Sequence, residues 1–203
     1  MMIRLHDFEL SGSCYKVRLL LNMLSVPYEK VSVDFVNRQH ESPAYLELNP
    51  FGDLPILEDG SLRLHNAQAI LTYVARKYDV FGIWYPSSAS GASRIHQWLA
   101  TASGELANLS RARLAKVFHY PFNLGDLHSS SRPALRVLDA HLQNRKWLEL
   151  GRPTIADVAC FPHVALANEA GISLSDFEYV SEWVERFKTI PGFIAMPGIA
   201  SGS

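Results

Sequence analysis

The sequence predicts an α/β N-terminal domain followed by an all-α domain. Within residues 1–79, apolar patterns of period two alternate with helical patterns, whereas only helical periods occur beyond residue 93. The stretch between them is rich in Gly, Pro and Ser and poor in charge, which is typical of a linker. We therefore expect one domain over 1–79, a linker over 80–92 and a helical domain over 93–203.

In the first domain, alternation predicts a strand over residues 3–8, and a helical period predicts a helix that ends near residue 24. A second strand over 28–33 completes a β-α-β unit, whose strands should be parallel. A short helix is expected over 43–48, and a hairpin from 54–57 and 62–64, where Glu-Asp-Gly-Ser forms the turn. Residues 67–78 return to a helical pattern.

In the second domain, apolar periodicity predicts helices over 95–117, 134–142, 155–167 and 177–188. Thr154 is followed three residues later by Asp157, a spacing typical of a helix N-terminal capping box. We expect both residues to be structural.

Composition excludes several classes of function. A formal charge of −1 gives no electrostatic reason to expect a nucleic acid or a membrane surface as partner. The sequence shows neither an apolar run of the roughly 20 residues that a membrane span needs nor a signal peptide, so we expect a cytoplasmic protein. Two cysteines are too few for a disulfide framework, and the histidines show no Cys/His clustering that would indicate a metal site.

Chemistry is indicated by Ser11-Gly12-Ser13-Cys14, at the junction of the first strand and first helix. The spacing is that of a thioredoxin-type C-x-x-C, with serine in place of the attacking cysteine. A serine cannot exchange disulfides, but its hydroxyl can donate a hydrogen bond to the thiolate of a ligand held at the helix N-terminus. Ser11 is the first candidate, although it can also be an ordinary helix cap. Ser13 is the alternative, because a shift in the turn could bring its hydroxyl forward, and it ranks second because helix capping explains Ser13 at least as well. Cys14 is expected in the core, and it becomes a candidate if the turn exposes it.

The order of elements resembles the glutathione transferase superfamily over essentially the whole chain, and the motif around Ser11 is most similar to the serine-type theta and zeta classes and their bacterial relatives. The resemblance implies a thioredoxin-like first domain, a homodimer, glutathione as co-substrate, a small apolar electrophile and no metal. Four stretches carry it: Ser11-Gly12-Ser13-Cys14-Tyr15-Lys16-Val17-Arg18, Asn49-Pro50-Phe51-Gly52-Asp53-Leu54-Pro55-Ile56-Leu57, Ala69-Ile70-Leu71-Thr72-Tyr73 and Pro153-Thr154-Ile155-Ala156-Asp157.

The resemblance also implies roles for single residues. It places Ser11 against the glutathione sulfur and His40 near the glycyl end, although His40 is equally compatible with a solvated surface position. Pro55 is expected to be cis, which turns the backbone of Leu54 towards an extended peptide; the alternative is an ordinary edge-strand proline. Phe51 either plugs a partner subunit or packs on its own domain.

Three positions depart from the family pattern. Asn66 and Ala67 stand where relatives carry an acid and a serine that receive the γ-glutamyl end of glutathione, and Asp53 replaces a Gln or Lys. Losing one charge-assisted hydrogen bond costs about 1.5–3 kcal/mol, so glutathione binding is expected to be weakened.

In the helical domain, the resemblance makes three residues candidates for the electrophile pocket: Arg113, His119 and Tyr120. The alternative is that they belong to the core and to a solvated basic face.

The resulting hypothesis is a glutathione transferase-like enzyme of detoxification. One alternative is a non-catalytic binding or assembly module on the same fold, which the departures at Asp53, Asn66 and Ala67 favour. The other is a thiol–disulfide reductase that uses Cys14, which requires an accessible thiol.

Overall fold

The computed structural model describes residues 2–200, so residue 1 and residues 201–203, at the ends of the predicted domains, lie outside it. The first part is built on a four-stranded mixed sheet of order β2-β1-β3-β4. β1 is parallel to β2, and β3 is antiparallel to both β1 and β4. The strands are β1 (Ile3–Asp7), β2 (Tyr28–Ser32), β3 (Ile56–Asp59) and β4 (Leu62–His65).

Helices follow the strands in the order that the sequence predicts. They are α1 (Gly12–Met23), α2 (Pro43–Leu46) and α3 (Ala67–Tyr78), with a 3-10 turn over Gln39–Glu41 before α2. The resulting β-α-β-α-β-β-α unit confirms the thioredoxin-like prediction. β3 begins two residues later than predicted, and the hairpin turn is shortened to Gly60 and Ser61, where Gly60 has a φ of 64°.

The second part is helical, as predicted, and consists of α4 (Ala89–Ser103), α5 (Ala107–Phe118), α6 (Leu124–Leu142), α7 (Ile155–Ala165) and α8 (Glu178–Lys188). The prediction of one helix over 95–117 is wrong. Gly104 leaves the helical conformation with a ψ of −98°, and α5 then starts at Ala107. A lone glycine within an apolar helical period did not reveal this break.

Two other boundaries differ from the predictions. α4 begins at Ala89, within the stretch predicted as linker, because Ser88 caps it by accepting the N–H of Gly91. α6 begins at Leu124, ten residues before the predicted start. Its first half is polar and contains Pro133, so no apolar period marks it, although Asn123 caps it.

α7 is the centre of the core and joins the two parts. It is buried on all sides, packs against α1, α3 and α4, and carries the predicted capping box of Thr154 and Asp157. The buried Asp157 carboxylate also accepts the indole N–H of Trp183 at 3.0 Å. The structural role expected for Thr154 and Asp157 is thus confirmed. In residues 2–200, no helix is long and apolar enough to cross a membrane, and no three His, Cys, Asp or Glu side chains could jointly hold a metal ion.

Candidate active site

A cavity of about 300 Å³ lies between the thioredoxin-like part and the helical part. Three segments of the first part reach it: the β1–α1 loop with the start of α1, the loop after β2, and the loop before β3. α5 forms the opposite wall. The lining residues are Phe8, Leu10, Ser11, Gly12, Ser13, Phe35, His40, Gly52, Asp53, Leu54, Ser110, Arg113, Leu114 and Phe118.

Ser11 is the N-cap of α1, and Ser13 lies in the first turn of the same helix. Ser11 Oγ accepts the backbone N–H of Cys14 at 3.2 Å, so the capping role belongs to Ser11. This bond uses a lone pair of the oxygen, which leaves the hydroxyl hydrogen for a donated bond. Both serines line the cavity, and so does Gly12 at the N-terminus of α1, where the positive end of the helix dipole lies.

Cys14 is fully buried. Burial raises the pKa of its thiol to about 12, and the charge of Asp7 acts in the same direction. The thiol is therefore neither accessible nor ionised at neutral pH. The reductase alternative required an accessible Cys14 thiol, so it is wrong.

The Leu54–Pro55 peptide bond is cis, as predicted. Pro55 is buried and Leu54 lines the cavity. Within residues 2–200, the backbone N–H and C=O of Leu54 make no hydrogen bond. An extended peptide in the cavity could pair with these groups as an added strand would.

His40 lies in the 3-10 turn and is only 5% exposed, so its interpretation as a solvated surface residue is wrong. Its ring stacks on Phe35, with ring centroids 4.2 Å apart. Burial lowers its pKa, which keeps the ring neutral at neutral pH. Its Nδ1 is buried and has no hydrogen-bond partner within residues 2–200.

Asn66 and Ala67, the candidates for the γ-glutamyl end, are not among the lining residues of this cavity. Asn66 has a φ of 74° and caps α3, because its Oδ1 accepts the N–H groups of Gln68 and Ala69 at 3.0 and 3.3 Å. Ala67 follows it and is buried. Asp53 does line the cavity, and its carboxylate accepts the side-chain amide N–H of Asn49.

The electrophile-pocket candidates are divided between two cavities. Arg113 lines the first, whereas His119 and Tyr120 line a neighbouring cavity of about 370 Å³. Phe35 and Phe118 line both cavities.

Known proteins share this architecture. The first part, residues 5–82, matches the glutathione S-transferase N-terminal domain, and residues 130–191 match the C-terminal domain of the same family. A glutathione S-transferase theta-1 from Bos taurus is 33% identical over 197 residues, which cover 90% of this chain and 81% of that protein. This chain belongs to the glutathione S-transferase family.

Solved structures agree with this assignment. A glutathione S-transferase from Pseudomonas fluorescens is 26% identical and has a TM-score of 0.90, with 97% of this chain and 99% of that chain covered. A second, from Xanthobacter autotrophicus, is 28% identical, with a TM-score of 0.88 and 97% of both chains covered.

Sequence reasoning missed several lining residues of this glutathione S-transferase fold. Ser110 precedes Arg113 by three residues and Leu114 by four, so the α5 face through Ser110 includes both, and following that face from Arg113 could have revealed Ser110 and then Leu114. Phe35 lies in a loop without a periodic pattern, and only the fold brings its ring to His40. Phe8 and Leu10 precede Ser11 directly, and their proximity to that residue was the available signal.

Proposed function

We propose that this protein conjugates the thiolate of glutathione to a small apolar electrophile. The observation that carries the proposal is the Ser11 hydroxyl, which caps α1 through a lone pair and lines the cavity with its hydrogen free to be donated. Ser11 donates a hydrogen bond to the glutathione sulfur, and the N-terminus of α1 adds a favourable field. Both lower the pKa of the bound thiol.

In the reaction, the thiol of glutathione first gives its proton to solvent. The thiolate sulfur then attacks the electrophilic carbon and forms a C–S bond. With an aryl halide, the bond from carbon to halogen breaks and the halide leaves with the electron pair. The protein supplies the ionised nucleophile and the position of the two reactants.

The glutathione backbone pairs with the free N–H and C=O of Leu54, on the support of cis-Pro55. His40 faces the same cavity and serves the glycyl end, and the start of α3 at Asn66 and Ala67 serves the γ-glutamyl end. Arg113, His119 and Tyr120 belong to the wall that faces the electrophile. Ser13 is the alternative donor to the sulfur.

The proposal extends to biology and assembly. The protein acts in the cytoplasm in detoxification and forms a homodimer in which the thioredoxin-like part of one subunit packs on the helical part of the other. The domain division is part of the same proposal: the first domain ends at residue 79, and the helical domain begins with α4 at Ala89, four residues before the predicted start at residue 93.

Titration calorimetry with glutathione, together with turnover of glutathione and a test aryl halide, tests the proposal. We expect saturable binding and conjugate formation. Binding without conjugation of any aryl halide or epoxide would favour the non-catalytic module, which the Asp53 carboxylate at the cavity wall also favours. No binding would overturn glutathione as the co-substrate.

A further inference from the structure

The loop that leads into Ser11 is held by two arginines through its carbonyl groups. Arg18, from α1, donates to the Glu9 carbonyl oxygen at 2.8 Å. Arg113, from α5, donates through Nη1 to the carbonyl oxygen of Leu10 at 2.6 Å. The Leu10 carbonyl belongs to the peptide bond between Leu10 and Ser11. Arg113 therefore contacts the peptide group that directly precedes the proposed catalytic residue.

Arg113 is unusual for an arginine in the helical part. It is only 6% exposed, and its Nε donates to Glu169 Oε2 at 2.5 Å. Its guanidinium also lies 5.8 Å from the centre of the Phe118 ring. A charge removed from water to this extent is stable only where it is paired, so the carboxylate and the carbonyl fix the guanidinium in place.

Few charged side chains line the cavity in which the glutathione sulfur is proposed to bind. Of the described residues that line the cavity, Arg113 is the only arginine or lysine, Asp53 is the only acid and His40 is the only histidine. A carbonyl oxygen beside a thiolate repels it, and a guanidinium bound to that oxygen offsets the repulsion.

We propose that Arg113 is a positioning residue for the thiolate site: by binding the Leu10 carbonyl, it fixes the Leu10–Ser11 peptide and places positive charge on the wall beside the sulfur. This inference rests on the proposed function. It differs from the expectation that Arg113 contacts the electrophile, because Nε and Nη1 are already bound to Glu169 and Leu10. Arg113 thus couples the helical part to the loop that carries Ser11.

The test compares Arg113→Met with wild type. The readout is the pH midpoint at which bound glutathione ionises, followed by the ultraviolet absorbance of the thiolate, together with kcat and both KM values. We expect Arg113→Met to raise the midpoint by about one pH unit, which is a tenfold smaller ionisation constant. The KM for the electrophile should stay within about twofold, because the inferred interaction is with the thiolate site.

Two further variants make the test specific. Arg111→Met is the matched control, because Arg111 lies on the same helix, is exposed and, among the described residues, forms its side-chain hydrogen bond with Asn108 and no ion pair. It should behave as wild type. Arg113→Lys keeps the charge but not the fork of donors, so it should recover part of the shift.

Glu169→Gln should shift the ionisation midpoint of bound glutathione in the direction opposite to Arg113→Met. Glutamine still accepts from Arg113 Nε but no longer neutralises the guanidinium, so the midpoint of bound glutathione should fall below that of wild type. A purely structural role would lower the stability of Arg113→Met and Glu169→Gln without opposite shifts. If Arg113→Met does not fold, Arg113→Lys and Glu169→Gln decide the question.

The outcomes separate the inference from the function on which it rests. An active wild type whose midpoint is unchanged in Arg113→Met would overturn only the inference. A raised electrophile KM with an unchanged midpoint would return Arg113 to the electrophile wall. A wild type that does not bind glutathione would overturn the proposed function, and the inference with it.

Discussion

Ser11 Oγ accepts the N–H of Cys14 at 3.2 Å, so this hydroxyl caps the N-terminus of α1 at the end of the β1–α1 loop. The cap fixes the direction of the oxygen, because the N–H that it accepts belongs to a rigid helical turn. A free side chain would lose rotamer entropy on meeting a ligand, whereas this one is already oriented. Capping and activation of a thiolate are thus compatible roles of the same atom.

The first prediction concerns that hydroxyl. Ser11→Ala should lower kcat about 10- to 150-fold, because a hydrogen bond to a charged group contributes about 1.5–3 kcal/mol. The dissociation constant of glutathione should change by less than about threefold, since one contact of many is lost. Steady-state kinetics and calorimetry give the two values.

Two controls distinguish catalysis from helix capping. Glycine preserves most of the stability of an N-cap, within a few tenths of a kcal/mol, so Ser11→Gly should lose kcat as Ser11→Ala does without its loss of stability. Ser13→Ala should have a smaller effect than either. A larger loss in Ser13→Ala would move the donor role to Ser13.

The second prediction concerns a buried lysine between the two parts. Lys16 on α1 donates from Nζ to Nε2 of His163 on α7 at 2.6 Å. Burial lowers the pKa of Lys16 from 10.5 to about 8. Between these pH values the unfolded chain binds a proton that the folded chain lacks, so Lys16 makes the free energy of unfolding rise with pH, by about 3 kcal/mol at most.

Lys16→Met should remove this rise, which denaturant unfolding at pH 8 and pH 10.5 measures. The buried thiols of Cys14 and Cys160 have raised pKa values. At pH values above the ordinary pKa of a cysteine, they make the free energy of unfolding fall with pH, which opposes the effect of Lys16. The informative quantity is therefore the difference between wild type and Lys16→Met at each pH. The exposed Lys146→Met should follow wild type, and equal slopes for Lys16→Met and wild type would contradict the prediction.

The elements of this fold that the sequence predicted are those with a local pattern of apolar or capping residues. The strand and helix order of the first part follows from apolar periods, and Asn66 and Thr154 act as caps because their side chains accept nearby N–H groups. The break at Gly104 was missed because a glycine within an apolar period gives no sign of whether the helix continues. The polar start of α6 was missed because it has no apolar face to detect.

The sequence predicted the parts of the site that are formed by residues close in sequence to Ser11 and Pro55. The site was missed where the fold brings distant segments together. Phe35 reaches the cavity from a loop, and Arg113 meets Leu10 across more than a hundred residues, so neither contact has a local signature. His40 carries a local resemblance, but its burial depends on the ring of Phe35.

The third prediction concerns assembly. Phe51 is 76% exposed and lies 5.4 Å from the ring of His65, so it keeps only a limited contact on its own domain. If Phe51 inserts into a partner subunit, a twofold dimer holds two such rings, so Phe51→Ser should weaken the dimer about 150- to 25,000-fold, since burial of each phenylalanine contributes about 1.5–3 kcal/mol.

Light scattering at micromolar concentration measures this change. Phe81→Ser is the matched control, because Phe81 is 84% exposed and lies in the segment after α3, not in the turn before β3 that holds Phe51. It should leave the dimer intact. A wild type that is monomeric at this concentration would contradict the proposed homodimer, and equal dimerisation of wild type and Phe51→Ser would contradict the role of Phe51.

The last prediction concerns the start of α3. Asn66 Oδ1 accepts two N–H groups of the first turn, and these are groups that a γ-glutamyl carboxylate at this helix end would use. The side chain therefore competes with the ligand. Asn66→Glu combined with Ala67→Ser removes this competitor and adds a carboxylate for the ammonium group and a hydroxyl for the carboxylate of glutathione.

We expect the double variant to bind glutathione about 5- to 100-fold more tightly, because about 1–3 kcal/mol is available from new contacts at a preformed helix end. Loss of the asparagine cap costs about 1 kcal/mol of stability, so thermal unfolding accompanies the calorimetry. Ala67→Ser alone should gain less, since Asn66 still occupies the N–H groups. Unchanged affinity in a parent that already binds tightly would mean that His40 and backbone groups complete the site, and no binding by either protein would favour the non-catalytic module.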